Sequence, residues 1–152
     1  MPNVSLSDIL EALESASNEL TSYVDPATGK VVTLFREDFA ALDAAEEGKD
    51  ISPWQEQQLA RLRDLDLDKL LILPGKYEIH EWEIVKRFSL SQEHEGHREA
   101  LLDAIHGAGA FRSFRRELER LGLLDAWYAY RSAAFKRIAI EWAEDHGLSL
   151  GR

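Results

Sequence analysis

The segment LTSYVDPATGKVVTLF, residues 20–35, contains the clearest strand pattern of the first part of the chain. Two short runs rich in β-branched and aromatic residues flank the turn sequence DPATG at positions 25–29. Pro26 presets the φ angle of a turn, and Gly29 can adopt a positive φ at a bulge. The segment therefore predicts a β-hairpin near the start of a chain of 152 residues.

Helix signals lie on both sides of this hairpin. Ser5 is placed to cap a first helix that ends near Asn18. The segment REDFAALDAAEEG, residues 36–48, predicts a short helix whose Phe39 faces inward. In the segment SPWQEQQLARLRDL, Ser52 has the properties of an N-cap followed by a capping-box glutamine, so a further helix begins there.

The second half of the chain is expected to be helical. The segment LLILP, residues 70–74, predicts a third, buried strand, which proline ends. We expect an α+β fold that is mostly α, in which an N-terminal β-hairpin and one short strand form a small antiparallel sheet, followed by about four C-terminal helices. The whole chain, 1–152, is predicted to be a single domain. The four predicted helices span residues 78–90, 93–106, 109–121 and 124–146.

Composition limits the function classes. The chain has 28 acidic and 18 basic residues, a net charge of −10, which disfavours general attraction to nucleic acid or anionic membranes. It has no cysteine, which excludes disulfides, a thiol nucleophile and cysteine-ligated zinc. The first residues carry no basic segment of a secretory signal, and no apolar run reaches membrane-spanning length. We expect a cytoplasmic protein with no membrane partner.

The basic residues concentrate in one region. The segment GAFRSFRRELERLGLLDAWYAYR, residues 109–131, contains five aromatic residues and five arginines. On a helical wheel, Phe111 and Phe114 fall on the apolar arc, and we expect both rings to face the core. Arg112, Arg116 and Arg120 form a row of like charges on the other side, a row that an anion would stabilise. That anion is either the chain's own carboxylates or an acidic or phosphate-bearing partner.

One arginine falls within an apolar arc. Arg131 lies among the apolar positions of the last helix, where a guanidinium needs a partner. Glu81 lies at the centre of the apolar arc of the helix near EIHEWEIVKRF. We therefore predict a buried Glu81–Arg131 ion pair. It is either a structural clamp or part of a polar pocket with His80 at its edge.

Metal and cofactor sites are not expected. His94 and His97 could share a helix face, but two imidazoles without a third fixed ligand make a weak site. The tract that begins at Asp64 starts like a calcium loop, yet it has Lys69 where that loop requires glycine. We predict no metal and no cofactor.

Three segments resemble a known family. They are YEIHEWEIVKRF, LLDAIHGAGAFRSFRRELERLGLLDAWYAYR and IAIEWAEDHG, and together they resemble the bacterial uncharacterised protein family zero-one-five-eight. That family has no assigned activity. The resemblance implies a small intracellular bacterial domain without a known cofactor, and it emphasises a set of positions within these segments. Those positions are Ile79, His80, Glu81, Gly109, Phe111, Arg112, Phe114, Trp127, Tyr128 and Arg131.

Three functions are compatible with these patterns. The leading hypothesis is a non-enzymatic cytoplasmic binding or regulatory module that presents the row of Arg112, Arg116 and Arg120 to an acidic or phosphate-bearing partner. A second is a small hydrolase- or transferase-type enzyme that uses the cluster of His80, Glu81 and Arg131. A third is nucleic-acid binding through residues 109–137, which the net charge disfavours.

Overall fold

A computed structural model describes residues 3–63 and 65–151, except for the side chain of Tyr77. The chain divides into two compact units, of which unit 1 comprises the residues up to Ile79 and from Ala139 onward, and unit 2 comprises His80–Ile138. The predicted fold class is confirmed: the fold is α+β and mostly helical, with N-terminal strands in a small antiparallel sheet and helices toward the C-terminus.

Unit 1 contains the strands and the shorter N-terminal helices. Its strands are β1 (Asn3–Ser5), β2 (Leu20–Val24), β3 (Val31–Phe35), β4 (Leu71–Ile72) and β5 (Ser149–Gly151). Its helices are α1 (Leu6–Glu14), α2 (Arg36–Glu46), α3 (Pro53–Leu62) and the four-residue α4 (Lys76–Ile79). Unit 2 contains α5 (Glu81–Leu90), α6 (Glu95–Ala104), α7 (Ala110–Leu121) and α8 (Leu124–Asp145) up to Ile138.

The hairpin has the predicted turn. Gly29 adopts φ +75°, and the Ala27 N–H donates to the side chain of Asp25 at 2.9 Å. The strands pair antiparallel in the order β3-β2-β4, so β2 is central. Partial burial raises the pKa of the Tyr23 phenol on β2 above its usual value of 10.0.

The strand β4 exists but is not buried as expected. Ile72 is 57% exposed, whereas the following Leu73 is 3% exposed. The strand lies at an edge of the sheet and is only two residues long, so only part of the apolar run faces the core. The Trp142 indole N–H donates to the Ile72 carbonyl at 2.9 Å and attaches the end of α8 to this strand.

A second, two-stranded sheet was not predicted. β1 pairs with β5 in parallel, with Asn3 opposite Ser149 and Ser5 opposite Gly151. Val4 at its centre is fully buried. Strands of three residues carry too little alternation to be read from the sequence.

The N-terminal ends of the early helices follow their capping signals. The Ser5 hydroxyl accepts from the Asp8 N–H at 3.2 Å, and Ser52 and Gln55 form the predicted reciprocal capping box. α1 ends at Glu14, earlier than the predicted end near Asn18.

The inward face of α2 differs from the prediction. Phe39 is 36% exposed, and the buried positions are Asp38 and Ala41. The Phe35 N–H donates to the Asp38 carboxylate at 2.8 Å, so that carboxylate caps the start of the helix and turns inward.

Unit 2 is a set of helices around an aromatic core. The helix predicted for residues 78–90 is interrupted at His80, where φ is +52° and ψ is 56°. The ring of Phe88 contacts those of Phe114, Trp127 and Tyr130 edge to face, with centroids 5.3–6.4 Å apart. Such edge-to-face contacts stabilise aromatic pairs by more than the burial of their surface alone.

None of the helices in the described ranges is long and apolar enough to cross a bilayer.

Candidate functional site

A groove in unit 2 runs between α7 and the first turns of α8. We call it the α7–α8 groove. Its floor is formed by Phe114, Leu118 and Trp127, each less than 10% exposed. The volume is about 250 Å³. The full lining is Glu81, Phe111, Phe114, Arg115, Leu118, Leu124, Trp127, Tyr128 and Arg131.

The turn between the two helices positions this lining. α7 ends at Gly122, which adopts φ +71°, a conformation that costs glycine little. The Leu123 N–H then donates to the Leu118 carbonyl at 2.8 Å, which completes the C-terminal cap of α7 around the left-handed Gly122. Only Gly122 and Leu123 separate the two helices, and the apolar faces of α7 and α8 line one groove.

The predicted ion pair is present at one end of the groove. The Arg131 Nε donates to Glu81 Oε1 at 2.6 Å, and the guanidinium lies 4.2 Å from the centroid of the Phe135 ring. The side chains of Arg131 and Glu81 are 22% and 39% exposed, so the predicted pair forms but is only partly buried. Both side chains are part of the groove lining.

The structure does not bring His80 into this groove. The side chain of His80 is exposed, it is absent from the groove lining, and its imidazole makes no hydrogen bond to another of the residues described. His80 instead ends the short α4 and precedes α5 in a left-handed conformation. Of the cluster of His80, Glu81 and Arg131, only the last two therefore form a direct contact.

The arginine row is partly neutralised by its own helix. Arg120 pairs with Glu117 at 2.6 Å, and the neighbouring Arg115 approaches Glu119 at 3.5 Å. Arg112 and Arg116 are exposed, and neither has a carboxylate within ion-pair distance in the part of the chain that the structure describes. These two arginines are the positions of the row that a partner's anion could stabilise.

The rim of the groove carries exposed rings. Phe111 is 55% exposed, which contradicts the expectation that its ring faces the core. It contacts Trp82 edge to face at 5.9 Å, and Trp82 itself is 40% exposed. Tyr128 on α8 is 44% exposed. The helical wheel placed Phe111 on the apolar arc, but it could not show that the core ends before the first turn of α7.

A second cluster of polar and aromatic residues lies in unit 1. The Asp38 side chain is fully buried and accepts from Arg61 Nη2 at 2.6 Å, while its Oδ1 has no hydrogen-bond partner among the residues described. Arg61 lines an open cleft of about 300 Å³ together with Phe35 and the exposed Trp54. This pair was not predicted, because its members are 23 positions apart and Asp38 lies on a helix that was expected to bury Phe39 instead.

The two histidines considered as metal ligands have a capping role. The His94 ring nitrogen Nδ1 accepts from the His97 N–H at 3.2 Å at the start of α6, and the two rings stack at 4.1 Å. No group of three or more potential metal-ligating side chains occurs within residues 3–63 and 65–151. Asp64, the first residue of the calcium-like tract, lies outside the described residues.

Comparison with known proteins leaves the chain without a match. No family model, no curated protein and no solved structure matches it, and the resemblance to uncharacterised protein family zero-one-five-eight stays a prediction from its motifs.

Proposed function

We propose that unit 2 is a binding module whose α7–α8 groove docks an acidic peptide segment with an apolar anchor residue. The observation that carries this proposal is the exposure of Phe111 and Tyr128 beside a buried aromatic floor. Large exposed rings next to an apolar groove, bordered by charged residues, are typical of protein interaction sites.

The apolar part of the groove supports an anchor of moderate size. Its volume of about 250 Å³ accommodates one or two aliphatic or aromatic side chains, whereas drug-sized ligands occupy about 300–1,000 Å³. Phe114, Leu118 and Trp127 would cover the anchor from below, and the rim rings would cover its sides. Such desolvated anchors supply most of the binding energy in peptide grooves.

The charge of the surrounding surface supports an acidic ligand. Residues 107–137 contain seven basic and three acidic residues, although the chain as a whole is acidic. Arg115 belongs to the groove lining, and Arg112 and Arg116 extend the basic charge along α7 outside it. These two arginines lie about 6 Å apart along the helix axis, since each residue rises about 1.5 Å. Single charges at this spacing match carboxylates distributed along a peptide better than one phosphate that several arginines approach from converging directions.

The catalytic hypothesis has less support from the geometry. It required His80 as the acid or base beside the anion clamp, and the imidazole is not part of the groove lining. Glu81 accepts a hydrogen bond from Arg131. A binding function uses these two residues as fixed charges at one end of the groove.

The test is a binding titration with a designed peptide. A fluorescein-labelled acidic peptide of sequence EDLFEELLDE is titrated with the protein, and fluorescence anisotropy is recorded at about 50 and about 300 mM salt. We expect saturable binding that weakens at the higher salt, and no binding of the counterpart in which lysine replaces every acidic residue. A phosphoserine version that binds tenfold more tightly would instead identify a phosphate-bearing ligand.

Matched variants locate the site. Phe111→Ala and Arg115→Glu should each weaken binding about fivefold or more, by loss of the rim ring and by charge reversal in the groove lining. Arg87→Glu makes the same charge change on α5, outside the groove lining, and should weaken binding less than about twofold. Equal effects of Arg115→Glu and Arg87→Glu would mean that only net charge matters, and the proposal would be wrong.

A further inference from the structure

The outer edge of β3 in unit 1 has no partner strand within residues 3–63 and 65–151. The order β3-β2-β4 places β3 at one side of its sheet. The Asp25 N–H donates to the Lys30 carbonyl at 2.9 Å, and the Arg36 N–H donates to the Glu19 carbonyl at 3.0 Å. The residue pairs just beyond both ends of the β2–β3 ladder are therefore hydrogen-bonded pairs. Because these positions alternate along an antiparallel ladder, Val31 and Thr33 direct their N–H and C=O groups away from β2.

A groove accompanies this edge. It lies between α1 and β3 and has a volume of about 510 Å³. Val31, Thr33 and Phe35 alternate along β3 and therefore share one face of the sheet, the face that lines this groove. From α1 the groove is lined by Asp8, Glu11, Ala12 and Ser15.

The edge lacks the usual protection against pairing. Natural edge strands are commonly blocked by proline, an inward-pointing charge or a bulge. β3 has the sequence VVTLF, without proline or charge, and it pairs with β2 in continuous register from Val31 to Phe35. β-branched and aromatic residues favour the extended conformation that an added strand would join.

We propose that this edge binds an extended basic peptide segment, which adds a strand antiparallel or parallel to β3 and lies against α1. Backbone hydrogen bonds to Val31 and Thr33 would supply affinity, and Asp8 and Glu11 would select basic side chains. Unit 1 as a whole is also negatively charged, because its sequence contains 19 acidic and 8 basic residues. The same acidity opposes pairing with a second copy of the chain.

The experiment uses the whole protein and four synthetic peptides, one of which is the acidic control EVDVEV. The probe is RVKVRV with blocked ends, and two derivatives carry backbone N-methyl groups, one on the odd and one on the even residues. An added strand directs only alternate N–H groups at β3, so one derivative should bind like the probe and the other at least about tenfold more weakly. Binding is measured from shifts of the backbone amide resonances, which should be largest at Val31 and Thr33.

Protein variants test the two contributions separately. Glu11→Lys should weaken binding of the probe about fivefold, whereas Glu46→Lys, an equal charge change on α2 outside the groove, should change it less than about twofold. Val31→Pro removes one outward N–H at the first residue of an edge strand, where proline is tolerated, and should weaken binding about fivefold or more.

Four results would overturn the proposal. They are affinities of the two methylated peptides within twofold of each other, equal binding of the acidic peptide EVDVEV, equal effects of Glu11→Lys and Glu46→Lys, or shifts of Val31 and Thr33 with protein concentration alone. The last result would assign the edge to a second copy of the chain. The methylation comparison uses only the wild-type protein, so it tests whether the peptide adds a strand to β3 even if Val31→Pro does not fold. The groove of unit 2 is not involved in any of these measurements.

Discussion

His80 holds a backbone conformation that most residues avoid. Its φ of +52° and ψ of 56° lie in the left-handed region, and it is the only non-glycine residue with positive φ within residues 3–63 and 65–151. The left-handed conformation costs an L-residue roughly 1–2 kcal/mol because Cβ approaches the following carbonyl oxygen. The residue ends α4 and allows α5 to begin at Glu81, which places that carboxylate within reach of Arg131.

Substitution of His80 should separate backbone strain from side-chain chemistry. We expect His80→Gly to raise the free energy of unfolding by about 0.5–1 kcal/mol, since glycine adopts this conformation without a steric penalty. His80→Val should lower it by about 1 kcal/mol or more, because a β-branched residue is the least tolerant of positive φ. Urea unfolding followed by circular dichroism measures both values.

A glycine within a regular helix is the control for this prediction. Lys86→Gly, at an exposed position inside α5, should destabilise by about 1 kcal/mol because helix interiors disfavour glycine. If His80→Gly destabilises as much as Lys86→Gly does, the left-handed residue carries no releasable strain and the prediction is wrong.

Single residues were predictable where chemistry conflicted with their surroundings. The Glu81–Arg131 pair was found because each charge lies in an apolar arc, and a charge in that position requires a partner. The exposure of Phe111 was missed because periodicity gives the direction of a side chain but not where the core ends. The left-handed conformation of His80 was missed because the apolar pattern continues through it.

At the level of elements, α2 and α3 are joined by one buried charge. Asp38 is fully buried on α2 and accepts from both the Phe35 N–H and the Arg61 guanidinium. The Arg61 side chain is 53% exposed and that of Asp38 is fully buried, so loss of the ion pair costs the two charges different amounts of free energy. Arg61 alone returns to water, whereas Asp38 alone remains a charge in the protein interior.

This asymmetry gives a prediction for a double-mutant cycle. Arg61→Met should lower the free energy of unfolding by about 2 kcal/mol, because it leaves the Asp38 carboxylate buried without its cation. Adding Asp38→Asn should recover about 1 kcal/mol of that loss, since an amide keeps the acceptor for the Phe35 N–H without the buried charge. Chemical denaturation of the two variants and the single Asp38→Asn variant completes the cycle.

Arg63→Met serves as the comparison for an exposed arginine at the end of α3. It should change the free energy of unfolding by no more than about 0.5 kcal/mol. If Arg61→Met and Arg63→Met have the same small effect, the Asp38–Arg61 contact does not compensate a buried charge.

Elements were predictable where their signals are local. The hairpin turn and the capping box of α3 each depend on residues within five positions of one another, and both formed as expected. The inward face of α2 was wrong because a capping carboxylate, rather than the apolar pattern, occupies the buried position. The pairing of β1 with β5 depends on segments from opposite ends of the sequence, so no local signal could reveal it.

At the scale of the whole molecule, charge is divided unequally between the units. The sequence of unit 1 has 19 acidic and 8 basic residues, whereas that of unit 2 has 9 acidic and 10 basic residues. The two proposed ligands have opposite charges for this reason, an acidic peptide for unit 2 and a basic one for unit 1. Both interactions should weaken as salt rises, because they involve exposed charges.

The parallel pairing of β1 and β5 has a mechanical consequence. Because the strands run in the same direction, tension applied at Asn3 and Gly151 pulls them past one another along their length. All the hydrogen bonds between the strands then bear the load together instead of breaking one after another. Since the chain has no cysteine, thiols introduced at these two positions would be unique attachment points for force spectroscopy. We expect rupture at a higher force than when the same apparatus pulls between Asn3 and Ser149, a geometry that opens the pair from one end.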